Sequence, residues 1–403
     1  MVIATTTAVD ELDLPILDFN DPAFVRNPWA AFRPIQAGRP LARSARGIEV
    51  LSYDWIKQLA AAPQMLPNYG AHAAGPSAPT LSEFLANGLL VNIQGERHDR
   101  IRRVMTNAFA AGHVKSIGEM VEKTADDLVA DMSEDGRADL IEEFTHRFSI
   151  GVMCRNIGIP PEDIRFFERA TLDVRLMNTP NPDIPRIEAA LETLRTYVAR
   201  MLVERAEKPR EDLVSAMIAA QATEGRLTEA ELVWNVCNLL FAGHDTTRFQ
   251  LGLVLKSAID HDVWEAVGTD PELASGVVNE ALRLTPTVPM LSRIVTEDFE
   301  FEGVVFTTGT QVRLNTLAAT RDPQRFLDPD AFDPLRDPQW DMTFGRGARY
   351  CLGANLAKSE LVSGLRVLIS RLTDVAIDEE PEMVWPLGPM NGPESLRVRF
   401  SRR

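Results

Sequence analysis

Apolar residues recur at helical spacing through most of this chain. Ile187, Ala190, Leu191, Leu194, Tyr197, Val198, Met201 and Leu202 fall on one face of a 3.6-residue period, and the stretch from Gly118 to about Gln221 is rich in Ala, Glu, Leu and Arg. That pattern predicts a run of amphipathic helices, punctuated at Asp135-Gly136 and Pro160-Pro161, with no composition shift that would mark a linker. Earlier, residues 1–20 read as a flexible polar tail, Asn27-Pro28-Trp29 opens a first helix, and Gly47 to Ser52 alternates like a short strand. The Pro- and Gly-bearing stretch from Pro63 to Pro79 predicts a loop. Gln94 to Met105 reads as a helix, with His98 and Arg102 on one face and Arg97, Arg100 and Arg103 making it basic all round.

From Leu232 to Ile259 the residues are apolar on nearly every side, which predicts a helix through the middle of the protein. Thr228-Glu229-Ala230-Glu231 opens it as a capping box, each end satisfying a free backbone N–H of the other. Its centre breaks the pattern with Ala242-Gly243-His244-Asp245-Thr246-Thr247, polar residues where the core should be driest. A threonine hydroxyl bonded one turn back distorts a helix and opens a groove. An acid beside a hydroxyl is what a proton relay requires, and a satisfied polar kink is the plainer alternative.

Asp270-Pro271-Glu272 starts another helix, ended by Pro286 and Pro289. It carries Glu280 and Arg283 at i,i+3, a pair that contributes only about 0.2–0.5 kcal/mol if exposed. Arg293 to Val312 predicts short strands around Gly303 and Gly309, the only sizeable β region. A Pro- and Asp-rich segment through Arg336 leads to Phe344-Gly345-Arg346-Gly347-Ala348-Arg349-Tyr350-Cys351-Leu352-Gly353, where three glycines and an aromatic surround one cysteine. Glycine lets backbone approach a flat partner closely, and a cysteine so held can offer its sulfur to a metal, as an axial thiolate does to haem. A helix beginning at Ala354 places its positive dipole end behind that sulfur. The fold expected is mainly α with a small β-rich region, one domain over residues 21–403.

Composition narrows the function. Lys plus Arg is 42 against 58 Asp plus Glu, a net −16 that argues against nucleic acid as partner. Cys154, Cys237 and Cys351 are odd in number, far apart and without a C-x-x-C, against a disulfide framework or zinc site. Met1 to Pro15 lacks a secretory pattern and no run is long enough for a membrane span, so a cytoplasmic protein is expected.

With these residues in view, the chain resembles the soluble bacterial cytochromes P-450, haem-thiolate monooxygenases, over essentially its whole length. F-G-x-G-x-R-x-C-x-G matches Phe344 to Gly353, A-G-x-D-T-T matches Ala242 to Thr247, E-x-x-R matches Glu280 and Arg283, and H-x-x-x-R matches His98 and Arg102. The resemblance implies the cytochrome P-450 fold, with haem b between the Cys loop and the long central helix. It implies Cys351 as iron ligand, with Phe344, Gly345, Gly353, Ala242 and Gly243 around the cofactor. His98, Arg102, Arg293 and Arg349 would hold propionates; Asp245 would deliver protons and Thr246 would meet dioxygen, the co-substrate. Glu280 and Arg283 would form a buried network with Arg336. Many bacterial relatives have His where Arg349 stands.

The implied activity is hydroxylation or oxidative dealkylation of a lipophilic or aromatic small molecule. By analogy the pocket would draw on the loop before the His98 helix, on Asn238, Phe241 and Val288-Pro289-Met290-Leu291, and on the turn at Leu387 to Asn391, all but Asn238 and Asn391 largely apolar. No flavin-binding extension remains within 403 residues, so electrons from NAD(P)H would arrive through a ferredoxin reductase and a ferredoxin, the protein itself being a monomer. Arg346 and Lys358, in a stretch from Met342 to Ser359 without Asp or Glu, suit an acidic ferredoxin. The alternatives are a peroxide-driven haem peroxygenase, a gas-binding haem protein and a cysteine hydrolase; none of the six histidines lies near Cys351 in sequence, which counts against the last.

Overall fold

The computed structural model describes residues 7–69, 75–109, 118–132, 135–178, 181–337, 342–384 and 390–403. The protein is mainly helical, with small sheets, and its residues group into two compact units, each assembled from separated segments of chain. One unit comprises residues 1–69, 279–351 and 384–391; the other comprises 70–278, 352–383 and 392–403.

The first unit carries a five-stranded sheet, ordered Leu41–Ser44, Gly47–Val50, Gln311–Leu314, Leu291–Val295 and Met65–Pro67. Only the pairing of Gly47–Val50 with Gln311–Leu314 is parallel; the other pairs are antiparallel. The expected Pro63–Pro79 loop therefore contains an edge strand, and its residues 70–74 lie outside the described residues.

The flexible tail expected over residues 1–20 is corrected where it is described. Thr7–Ala8 pairs in parallel with Val304–Val305, and Leu17 N–H and Arg43 N–H exchange bonds with Arg43 O and Pro15 O at 2.8 Å each. Val9, Leu14, Leu17 and Phe19 are buried; Leu17 and Phe19 join Phe24, Phe32, Ile35 and Leu51 in a core of their own. Spaced apolar residues among Asp and Glu look like tail in sequence, yet these four bury their side chains, while Ile16 between them stays exposed.

The second unit is built around the helix Glu229–Asp260, whose 32 residues span about 48 Å. Its capping box is formed: Glu231 N–H donates to Thr228 Oγ1 at 3.2 Å and Thr228 N–H to Glu231 Oε2 at 2.9 Å. The helices His146–Ile157, Ile184–Glu207 and Ala354–Arg371 pack on it, which explains an apolar sequence on nearly every side. α-Helical hydrogen bonding runs unbroken through Ala242–Thr247, so the local opening expected there does not interrupt the helix. A second β region also appears: Leu372–Ile377, Arg397–Arg402 and Arg137–Asp139 form an antiparallel sheet, with Val398 and Phe400 buried between exposed arginines and Ser401. The expectation of one sizeable β region is thereby corrected; its strands lie far apart in sequence, and only their meeting buries the alternate residues.

Among the described residues no helix is long and apolar enough to cross a membrane.

Candidate active site

The cysteine loop holds its shape through its own backbone. Gly345 and Gly347 sit at φ +75° and +61°, where a side chain is strained, and between them they let the chain turn twice within a few residues. Cys351 N–H donates to Phe344 O at 2.7 Å and Gly345 N–H to Met342 O at 2.9 Å, closing the loop. Cys351 is exposed, whereas Cys154 and Cys237 are buried, with burial pushing the Cys154 thiol up to about 12. Arg349 is half-buried on the short turn Gly347–Arg349. Two residues beyond Cys351, Gly353 caps the helix Ala354–Arg371 without a side-chain bond to its free N–H groups.

In the same unit, Arg293 is 2% exposed on its strand; one guanidinium nitrogen donates to Ser292 O at 2.9 Å, while Nε has no acceptor. Burial pulls its pKa below the ordinary arginine value. A buried cation with an orphaned donor is the signature of a missing anion. Glu280 and Arg283 are not a surface pair. Arg283 grips both oxygens of Glu280 at 2.7 Å and donates to the carbonyls of Thr320, Pro329 and Ala331; Arg336 Nε reaches Glu280 Oε2 at 3.3 Å. This pins the irregular Pro- and Asp-rich segment that precedes the cysteine loop.

In the helical unit, Asp245 is 3% exposed. Burial raises its carboxyl pKa, opposed by the guanidinium groups of Arg248 and Arg175. Those groups stand 3.4 and 3.6 Å away, without hydrogen-bond geometry, and both also reach Glu394. Thr246 Oγ1 donates to Ala242 O at 2.8 Å. Ala242, Gly243 and Thr246 are among the few accessible residues of an otherwise buried helix middle. Gly243 also serves packing, because a Cβ there would come within 2.6 Å of Met153 Sδ. His98 is buried with Nδ1 2.9 Å from Asp99 Oδ1, and Arg102 is half-buried on the same helix, Gly95–Ala108.

Arg97 and Arg100 of that helix are not merely solvated. Both bind Glu231, the capping residue of the central helix, at 2.8–2.9 Å. Burial would raise the Glu231 pKa; the bonds from Arg100, Arg97 and Thr228 N–H overcome this and hold it at about 2. Of the pocket candidates, Asn238 is buried with Oδ1 unpartnered, Phe241 packs edge-on to Phe84, and Pro289 and Met290 are buried while Val288 and Leu291 are half-buried. Of the turn at Leu387 to Asn391, residues 387–389 lie outside the described residues. Reading the sequence missed Arg175, Arg248 and Glu394 around Asp245; nothing in their spacing announces that they meet.

Residues 270–384 match the family model described as "Cytochrome P450". The chain is 31% identical to luteothin monooxygenase of Streptomyces thioluteus over 98% of its length and 99% of that protein's. It is 30% identical to cytochrome P450 monooxygenase PikC of Streptomyces venezuelae, covering 99% and 96%. Among solved structures, it matches cytochrome P450 CYP109Q5 from Chondromyces apiculatus at 26% identity, covering 96% and 99%, with a TM-score of 0.87. The chain belongs to the cytochrome P450 family and is a monooxygenase of the bacterial kind.

Members of this family use haem, dioxygen, redox partners and small-molecule substrates. The residues here suit a flat, anionic iron porphyrin: one exposed thiol on a glycine-shaped loop, and a buried arginine with an unused donor.

Proposed function

We propose that this protein hydroxylates or oxidatively dealkylates a lipophilic or aromatic small molecule, with Cys351 as the axial ligand of haem b. The observation that carries this reading is the loop Phe344–Gly353, which presents an exposed sulfur before a helix N-terminus whose dipole favours thiolate. Thiolate-ligated haem supplies oxygen activation, with insertion of one oxygen atom into the substrate. Residues 21–403, together with the packed segment from Thr7 to Phe19, act as one catalytic domain in a cytoplasmic monomer.

The chain's own groups do the rest. Arg349, Arg293, His98 and Arg102 pair with propionates, the orphaned Arg293 Nε being the strongest support. Asp245, whose pKa burial raises, holds and releases a proton, and Thr246 takes it up at its hydroxyl toward the reacting oxygen. Substrate contacts are proposed for Asn238 and Phe241 in the helical unit and, separately, for Val288 to Leu291 in the sheet unit, residues that are apolar apart from the Asn238 amide. Relatives named for luteothin, mycinamicin IV, a steroid and vitamin D(3) support a lipophilic substrate without choosing among them. Electrons come from NAD(P)H through a ferredoxin reductase and a ferredoxin, to which Arg346 and Lys358 offer positive charge in a chain of −16.

The test is the carbon-monoxide difference spectrum of the reduced protein. Wild type gives the thiolate-ligated Soret band; Cys351→Ala loses it. Retention of that band by the variant overturns the assignment. A compound library screened for shifts of the ferric Soret band then identifies the substrate class.

A further inference from the structure

A chain of buried polar side chains leads from solvent to the catalytic acid, and neither the motif nor the family match uses it. A surface pocket of about 580 Å³ is lined by His146 and Glu168. Glu168, on the helix Ile164–Arg175, has 28% of its side chain exposed, and its Oε1 lies 2.5 Å from Nε2 of His146. His146 Nδ1 lies 3.0 Å from Nε2 of His244, which is wholly buried on the central helix. His244 Nδ1 is 3.9 Å from Asp245 Oδ1, and neither oxygen of that buried carboxyl has a hydrogen-bond partner.

The hydrogen bonds assign the protons. Thr171 Oγ1 donates its one hydrogen to Glu168 O at 3.0 Å, so His244 Nδ1, 3.3 Å away, carries hydrogen and donates to that hydroxyl. His244 Nε2 is then an acceptor and His146 Nδ1 its donor. Toward an ionised Glu168, His146 Nε2 also donates. His146 thus bridges the Glu168 carboxylate and the His244 imidazole through its two ring nitrogens. Ser149 Oγ, donating to His244 O at 2.7 Å, fixes the central helix against the helix that carries His146.

We propose that Glu168, His146 and His244 form a proton relay that reloads Asp245 from the surface pocket, acting as positioning and transfer residues behind the proposed catalytic acid. His146 passes its Nδ1 proton to His244 Nε2. His244 releases its Nδ1 proton to an Asp245 oxygen, the 3.9 Å gap closing by rotation of a carboxyl that, among the described residues, is held by the ion partners Arg248 and Arg175 and not by a hydrogen bond. Each ring then turns to exchange the places of its protonated and vacant nitrogens, and a new proton from the pocket reaches the vacant nitrogen of His146 through Glu168. One proton moves inward, no electrons move, and no other reactant is consumed.

The charges facing this path favour a transfer that does not stall. Around Glu168 stand His146, Arg165 and Arg147; the His146 bond, against the cost of burial, keeps its carboxyl below the ordinary glutamate range. Around His244 stand His146, Arg248 and Arg175; burial first, then these cations, hold its pKa well below the ordinary histidine value. Asp245, with Arg248, Arg175 and Glu394 about it, has its pKa raised by burial. The lowered His244 and raised Asp245 values bring the two groups toward one another, so a proton entering at His146 is not held at His244.

This inference rests on the proposed role of Asp245, and the experiment separates the two. In the ferric holoenzyme labelled with 15N-histidine, six residues report. His146 is expected to carry hydrogen on Nδ1, and His244 is expected neutral with hydrogen on Nδ1 at neutral pH. In Glu168→Gln, the His146 Nε2 resonance is expected to move while that of His244 Nδ1 does not. During turnover with a reductase system, Glu168→Gln and His146→Gln are expected to lower product per NAD(P)H several-fold, with a steeper fall at high pH than wild type. Combining either with Asp245→Asn adds nothing further. A normal Soret band and tight coupling in both variants, or a His146 without hydrogen on Nδ1 in the wild type, overturns the relay. If His146→Gln does not fold, the half-exposed Glu168→Gln decides. Absence of the thiolate-type carbon-monoxide band in wild type instead defeats the haem-thiolate reading, independently of the histidine spectra.

Discussion

At the residue scale, the side chains that matter most are buried polar groups whose partners differ in kind. Arg283 is satisfied on all sides by Glu280 and carbonyls. Removing it leaves buried Glu280 with the longer Arg336 contact and the Asp333 N–H in place of a two-oxygen grip, so Arg283→Ala is expected to destabilise by about 3 kcal/mol, read as a lower urea midpoint. Arg283→Lys should recover little, because a point charge cannot grip both oxygens. Thr246 is a contrasting case. Among the described residues its hydroxyl bonds only to its own helix, so Thr246→Ala is expected to leave stability within about 0.5 kcal/mol. Product per NAD(P)H, measured with a reductase and ferredoxin, should fall several-fold as peroxide release rises. Full coupling in that variant would remove Thr246 from the proposed proton path.

At the element scale, the central helix shows how one residue binds separate parts of the sequence. Glu231 closes the capping box and receives Arg97 and Arg100 from another helix. Its folded pKa of about 2 lies below the unfolded glutamate value, so its contribution is present above that value and is lost as pH falls. Thermal melts should show the stability gap between wild type and Glu231→Gln shrinking between about pH 5 and 2. The capping box itself was legible, because Thr-x-x-Glu before an apolar run is a local signal. Its link to Arg97 and Arg100 was not, since more than 130 residues separate the partners. The same distance hid the strand Arg397–Arg402, whose alternation acquires meaning only beside Leu372–Ile377 and Arg137–Asp139.

At the scale of the whole molecule, the amino-terminal segment is part of the fold. Deleting residues 1–20 removes the buried side chains of Val9, Leu14, Leu17 and Phe19 together with the Thr7–Ala8 strand. The truncated protein is expected to melt several degrees lower, whereas a flexible tail would leave the midpoint unchanged.

Short-range chemistry was determined by the sequence alone: the glycine-shaped cysteine loop, the capped central helix, the acid and hydroxyl at its middle, and the family that these motifs mark. Each depends on residues within about ten positions, where backbone geometry dictates what can meet. Tertiary structure decided the partners of buried charge. Arg293 has a donor to spare, Glu280 has three partners, and Asp245 stands between Arg175, Arg248 and Glu394 at the end of a line through His244 and His146 to Glu168. A buried polar group must find a partner somewhere, but which one it finds is set by how helices far apart in the chain pack.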